Sequence, residues 1–385
     1  MAGVESCIRK LSRIWLPFGV NIRHMETMCR KTGEPRGISI RNEFAAKWIL
    51  VPFKGKAIFK SYDSALLNTP TSKSVKKIRM YNELLCATLC DQLSIPHATY
   101  ECAHNGLDKG LLSYNVLGEE EYIVPMISNP GFIGDFIDRL KSRENVNSDE
   151  IRGILKTLYS YMLFDIRTMQ TDRNLNNVPI VKHRITGKVR TGELMDNEFA
   201  YMSYNMLHNT IGGDDFFGLF SYGEMDMGSL VYTYDMKMNR SKSSYCLDVY
   251  KFQDERTLEE RIKEVCILAK MSPDFKEILS DFMDAFDLDS AIKVLRKRGI
   301  VANKDYIEYI KSIDKYIYDR FQYHIEHSQE YVKKYLESKP EDYKYSWDRN
   351  EIMHMLNMAR CGSSSVSDSV VENYEIFKQY NKNHY

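Results

Sequence analysis

Two short stretches of this 385-residue chain carry side chains whose types and spacing suit phosphoryl transfer. The first is Gln170-Thr-Asp172-Arg-Asn-Leu-Asn-Asn177, at the end of an apolar helical stripe; the second is Asp196, delivered by the apolar Leu194-Met195. A carboxylate that receives a hydroxyl proton, an amide oxygen five residues on and a second carboxylate at the end of the next strand form an arrangement that moves a phosphoryl group. A tight loop can turn Asp172 outward to a nucleophile and Asn177 back toward Mg²⁺, which Asp196 would grip through hard oxygen. Asp and Asn also cap helices and stabilise turns, so a purely structural reading stands beside the chemical one.

The remaining parts of such a site lie upstream. Lys60 closes an Ala-Ile-Phe-Lys strand, and Glu83 lies on the following helix in Tyr81-Asn-Glu-Leu-Leu85. A lysine on the buried side of a strand needs a carboxylate to stay charged and placed, and a Lys–Glu pair that clamps nucleotide phosphates meets that need. Taken singly, the two read as unrelated surface charges. Taken in order, Lys60, Glu83, Asp172, Asn177 and Asp196 follow the parts of a phosphoryl-transfer site from a strand-rich region into a helical one.

The elements that must position them show in the periodicity. Lys47-Trp-Ile-Leu-Val-Pro-Phe53 and Lys56-Ala-Ile-Phe-Lys-Ser-Tyr62 flank Lys54-Gly55 and predict a hairpin. Pro52 confines the first strand to an edge or to its own end. Val75, Ile78, Leu85, Leu89 and Leu93 keep helical spacing over 74–93, with Pro96 beyond. Lys73, Lys76, Lys77 and Arg79 near its start oppose the helix dipole and are expected to be solvated unless they face an anion. Strands near 98–102, 110–116 and 121–125 are expected to complete a small sheet.

After residue 128 the pattern turns helical. A helix is expected over 132–140, and Asn147-Ser-Asp-Glu150 resembles a capping box. It opens a helix whose Ile151, Ile154, Leu155, Leu158, Met162, Ile166 and Met169 form one apolar stripe, with Asp165 read as a brace for the loop that follows. Helices follow over 256–270, 273–285, 289–298 and 304–338. The division is therefore α+β: 1–127 as a strand-rich lobe with an N-terminal extension, 128–338 as a helical lobe and 339–385 as a polar extension.

Composition narrows the partners. Lys+Arg and Asp+Glu both number 53, so the net field that drives binding to nucleic acid or anionic lipid is missing. Hydrophobic residues make up 43% and aromatics 12%, a folding composition rather than a disordered one. Apolar stretches such as 48–53 and 122–127 fall short of the roughly 20 residues of a membrane span. Glu5, Arg9, Lys10 and Arg13 interrupt any signal-like apolar region, so a cytosolic protein is expected. The eight cysteines read as free thiols, Cys86 and Cys90 as small buried hydrophobes, and His324 with His327 as part of a solvated helix face rather than a metal site.

On these residues the chain resembles the HipA-like serine/threonine kinases, in their compact CtkA-like branch. The resemblance covers roughly residues 35–335 and rests on the hairpin ending in Lys60, the helix from Tyr81 to Ile95, the approach Phe164-Asp-Ile-Arg-Thr-Met-Gln-Thr-Asp-Arg173 and the turn Met195-Asp-Asn197. It implies a bilobal protein-kinase-like fold with ATP and Mg²⁺ between the lobes. Asp172 would be the catalytic carboxylate, Asn177 and Asp196 the metal ligands, Lys60 the phosphate anchor and Glu83 its partner. The segment 112–117, including Leu112 and Tyr114, would receive adenine.

Two positions depart from the family pattern. Asn174 stands where the family usually has histidine; an amide orients a hydroxyl but cannot shuttle a proton near neutral pH, which implies slower turnover or a different substrate. The phosphate-cradling loop corresponds to Ser39–Lys47, which lacks glycine, so the backbone amides of Ala45 and Ala46 would approach phosphate, with Gly33 or Gly37 as further contributors.

The activity so implied is ATP- and Mg²⁺-dependent phosphorylation of Ser or Thr on a protein. The resemblance also implies a bacterial cytoplasmic toxin or an effector delivered into a host cell, an antitoxin-like partner, and self-phosphorylation after Asp196 or within 39–74. Two other readings stay open: the same site acting on a lipid or small metabolite, and a nucleotide-binding pseudokinase that docks through the 304–338 helix. No basic, apolar-tipped stretch supports lipid docking, and a binding module has no need for Asp172.

Overall fold

The computed structural model describes residues 13–22, 47–61, 70–104, 109–124, 146–170, 173, 179–198, 200–202 and 257–337. Its first sheet is ordered β1-β4-β5-β3-β2, from β1 (Val20–Asn21), β2 (Lys47–Val51), β3 (Gly55–Ser61), β4 (Tyr100–His104) and β5 (Lys109–Tyr114). The hairpin β2–β3 closes as expected at Gly55, whose φ of +86° suits glycine. β2 is an edge strand and Pro52 follows its end. At Gly110 a Cβ would lie 2.3 Å from the Lys60 carbonyl oxygen, so a side chain there would displace the strand that carries Lys60.

The chain then leaves this sheet. β6 (Glu121–Val124) pairs with β7 (Ile180–His183), which pairs with β8 (Val189–Thr191), rather than completing the first sheet as the sequence suggested. Two contacts explain the switch. Glu121 N–H donates to the Gly118 carbonyl in a turn, and Arg190 on β8 donates to both Glu121 carboxylate oxygens at 2.9 and 2.7 Å.

Helix α1 (Pro70–Gln92) lies at the centre of the molecule, and every residue from Ile78 to Cys90 is buried. A helix enclosed on all sides should be apolar all round, yet this one buries Arg79, Asn82, Glu83 and Thr88. Its basic residues are not all solvated, because Lys76 and Arg79 are enclosed as well. Buried polar groups persist only with partners, so these positions show where the helix meets something other than hydrocarbon. Cys86 and Cys90 are fully buried free thiols.

Helix α2 (Ser148–Arg167) starts at the expected capping box: the Asn147 side chain accepts from Glu150 N–H at 2.9 Å, and Asn147 N–H donates back to Glu150 at 3.0 Å. The other Glu150 oxygen accepts from Val189 N–H, tying β8 to the helix start. Helices α3 (Leu258–Met271), α4 (Pro273–Ala285), α5 (Leu288–Lys297) and α6 (Lys304–Glu337) complete the helical part. Arg152 on α2 donates to both oxygens of Asp274 on α4, and Arg167 at its end donates to Asp314 on α6.

One continuous core runs from α1 and the first sheet through α2 to α6. A second, smaller cluster of Ile22, Val51, Ala57, Phe59, Ala103 and Leu112 covers the other face of the first sheet. Residues 13–22 link the two parts. Trp15 exchanges backbone hydrogen bonds with Val301 just before α6, Ile14 and Leu16 enter the main core, and β1 runs parallel to β4. Residues 132–140, 203–256 and the extension from 339 lie outside the described residues.

His324 does not lie on a solvated face. It is buried, with Nε2 2.7 Å from Glu259 and Nδ1 3.1 Å from the Tyr331 hydroxyl, while Arg320 donates to both Glu259 oxygens. Burial would raise the Glu259 carboxyl, but His324 and Arg320 prevail and hold it down at about 2. A depressed carboxyl stabilises the fold above its unfolded value near 4.5 and loses that contribution as pH falls toward 2. Glu259→Gln should therefore flatten that part of the acid-denaturation curve. An unchanged slope of melting temperature between pH 4.5 and 2 would exclude this role. Among the described residues no helix is long and apolar enough to cross a membrane.

Candidate active site

Directly opposed residues of antiparallel strands project to the same face. Lys60 opposes Leu111, which opposes Cys102; Ile58 opposes Ser113, which opposes Tyr100. These six line the face toward α1. Leu112 and Tyr114 belong to the other face: Leu112 packs in the small cluster with Phe59, and the Tyr114 hydroxyl donates to Glu101. The structure thus places the two residues expected beside adenine opposite Lys60, and sets Leu111 and Ser113 on the Lys60 side.

Lys60 lies beside Glu83, its expected partner, and beside Asp196, which was expected as a metal ligand. Its Nζ lies 3.0 Å from Asp196 Oδ1 and 3.6 Å from Glu83 Oε1, and 5.8 Å from the centre of the Tyr100 ring. Glu83 is fully enclosed, and burial pushes its carboxyl up against the opposing pull of Lys60. Desolvation would raise Asp196 too, but Lys60 and then Arg79 and Arg173 hold it below the usual carboxylate range, so it is ionised at neutral pH.

Asp196 has a backbone φ of +63°, a left-handed conformation that costs a non-glycine residue about 1–2 kcal/mol. Such strain persists where the surroundings over-determine it, and here the contacts come from several elements. Gln170 donates to the Asp196 carbonyl at 3.2 Å, and Asp196 N–H donates to the Tyr100 hydroxyl at 3.3 Å. Arg173 donates to the Met195 carbonyl and to Asn197 Oδ1, on either side. Leu194 N–H donates to the Pro96 carbonyl and Ala98 N–H to the Leu194 carbonyl, so the turn hangs from the segment that leads into β4. The single hydroxyl proton of Tyr161 on α2 is shared between the Pro96 and Gly192 carbonyls, at 3.0 and 2.8 Å.

The buried polar residues of α1 reach the same turn. Arg79 pairs with Glu198, whose carboxyl burial pushes up to about 7 against the pull of Arg79. Asn82 donates to the Ala200 carbonyl at 2.8 Å and accepts from the Tyr306 hydroxyl of α6 at 2.5 Å. Asp165 accepts from Arg173 Nε at 3.0 Å and Nη2 at 2.8 Å, the bracing role expected for it.

Asp172, Asn174, Asn177, Ala45 and Ala46 lie outside the described residues. Sequence reasoning missed Tyr100, Ser113, Arg173, Gln170 and Asn82. Tyr100 and Ser113 carried no signal in the sequence.

A divalent cation fits what is present. Asp196 is ionised, only partly enclosed, and already neutralised by a cationic group at 3.0 Å. Mg²⁺ keeps water and phosphate oxygens in its shell, so one or two protein oxygens suffice to place it. Among the described residues no cluster of three His, Cys, Asp or Glu side chains could hold a metal. Asn177, the second ligand that the resemblance implies, lies outside the described residues.

Against solved structures, this architecture superposes on the crystal structure of the Helicobacter pylori proinflammatory kinase CtkA with a TM-score of 0.53, covering 81% of this chain and 99% of that one. The chain has the bilobal kinase fold of CtkA. At 8% sequence identity the likeness is one of fold. In kinase terms the first sheet and α1 form the N-lobe, and α2 to α6 with the second sheet form the C-lobe. HipA of Shewanella oneidensis MR-1, solved with HipB and operator DNA, aligns with a TM-score of 0.38 at 9% identity over 80% of this chain and 70% of that one. No family model matches the chain, and no curated protein sequence does.

Proposed function

We propose that this protein is an ATP- and Mg²⁺-dependent kinase that transfers phosphate to Ser or Thr of a protein. The observation that carries the reading is Lys60: three residues from a strand, a buried helix and a turn of the C-lobe meet at one ammonium, 3.6 Å from Glu83 and 3.0 Å from Asp196. A buried carboxylate and a strained acidic turn focused on one lysine have no packing purpose that apolar residues would not serve better.

In this reading ATP lies between the lobes, with adenine against the Ile58, Leu111 and Ser113 face and its phosphates at Lys60. Glu83 keeps Lys60 charged and pointed. Asn177 and Asp196 would hold Mg²⁺, which supplies charge neutralisation for the moving phosphoryl group. Asp172 orients the acceptor hydroxyl and accepts its proton, and Asn174 steers that hydroxyl without titrating. Such a site works mainly by positioning and electrostatics.

The test is incubation of purified protein with γ-labelled ATP and Mg²⁺, supplied with protein, lipid and small-alcohol acceptors. Label on Ser or Thr is the expected result. Label confined to lipid or small alcohol would move the acceptor class, and tight ATP binding without ADP would make the protein a pseudokinase.

A further inference from the structure

We infer that Arg173 is a positioning residue that sets the metal-binding conformation of Asp196 by gripping the residues on either side of it. The inference rests on the phosphoryl-transfer reading above and assigns a role to a side chain that reading does not use.

Arg173 follows Asp172 in sequence and is 2% exposed. Its Nη1 donates to the Met195 carbonyl and its Nη2 to Asn197 Oδ1, so two arms of one guanidinium straddle Asp196. Nε and Nη2 donate to Asp165, which neutralises the buried charge. A planar fork with five N–H donors holds acceptors at fixed relative angles, whereas the rotating ammonium of lysine imposes none.

Asp196 needs such holding because of its φ of +63°. Its carbonyl accepts from Gln170 at 3.2 Å and its N–H donates to the Tyr100 hydroxyl at 3.3 Å, both at the long end of the hydrogen-bond range. With the fork removed, residues 195 and 197 can relax and residue 196 can return to negative φ, turning its carboxylate away from Lys60. Lys60 stands on β3 and Glu83 on α1, so the phosphate-anchoring pair does not depend on the fork. Loss of Arg173 should therefore weaken metal and spare metal-free nucleotide.

The experiment compares wild-type protein with Arg173→Lys, which keeps the charge, and with Asn197→Ala, which removes one acceptor and leaves the Arg173–Asp165 pair. ATP affinity is measured by calorimetry without metal and across a Mg²⁺ titration, and backbone hydrogen exchange is followed over residues 194–198 without ligand. Arg173→Lys is expected to raise the Mg²⁺ needed for half-maximal tightening of ATP roughly tenfold, equivalent to about 1.4 kcal/mol. Metal-free affinity should hold within about twofold, and exchange at 195–198 should accelerate in both variants. An unchanged Mg²⁺ requirement overturns the inference. So does an equal loss of metal-free binding, which marks a general scaffold role. If Arg173→Lys does not fold, Asn197→Ala carries the same comparison. If wild-type protein binds no ATP, the kinase reading fails, and the positioning role is judged on exchange alone: faster exchange supports it and unchanged exchange overturns it.

Discussion

Asp196→Asn is expected to lower ADP formation at saturating Mg²⁺ and ATP by about 10³-fold, the scale of losing one principal electrostatic stabiliser, while the protein stays folded. The substitution keeps shape and removes only charge. Asparagine tolerates the left-handed backbone of this position at least as well as aspartate, and its amide oxygen can still accept from Lys60. Lys60 in turn keeps Glu83 at 3.6 Å, so no buried cation is stranded. The chemistry is not spared. An amide is a weak ligand for a hard cation, and the phosphoryl charge would be neutralised by Lys60 alone. A coupled assay of ADP release, read beside a thermal melt, separates the two effects. Turnover within about twofold of wild type in a folded variant would remove Asp196 from the metal site, the factor being under about 0.5 kcal/mol of transition-state energy.

The parts of the fold written in local pattern were legible before any coordinates. The hairpin at Gly55, the capping box at Asn147 and four of the later helices follow from turn chemistry and periodicity, which depend on near neighbours. The meeting of Lys60 with Asp196 spans 136 residues and was legible for another reason: their order matches a chemical task. Where neither local pattern nor task applied, the sequence misled. β6 alternates no differently from a strand of the first sheet, and the contacts that hold it in the second, such as Arg190 69 residues away, are distant in sequence. His324 looked solvated because its partner Glu259 is 65 residues distant. Leu112 and Tyr114 differ from Leu111 and Ser113 by one residue of strand phase, which turns their side chains to the face away from Lys60. Lys76 and Arg79 read as a misplaced basic turn because the Glu198 that receives Arg79 lies 119 residues on.

Asn82→Leu is the structural counterpart of the Asp196 experiment, and it should cost about 2–6 kcal/mol of stability, because two buried groups lose their partner at about 1–3 kcal/mol each. Those groups are the Ala200 carbonyl and the Tyr306 hydroxyl. The amide sits where α1, the segment after Asp196 and α6 touch, next to Glu83, so its loss should also loosen the placement of Lys60. ADP formation is then expected to fall at temperatures where the variant is still folded, a coupling that a remote core substitution would not produce. Tyr306→Phe removes the other half of one bond and leaves only the Asn82 oxygen short, so it should be milder, near about 1 kcal/mol. The double variant should be less unstable than the sum of the two, since the hydroxyl that Asn82→Leu strands is then absent. Strict additivity in denaturant melts would mean that Tyr306 and Asn82 do not share the bond, and that α6 stabilises α1 through apolar contact alone.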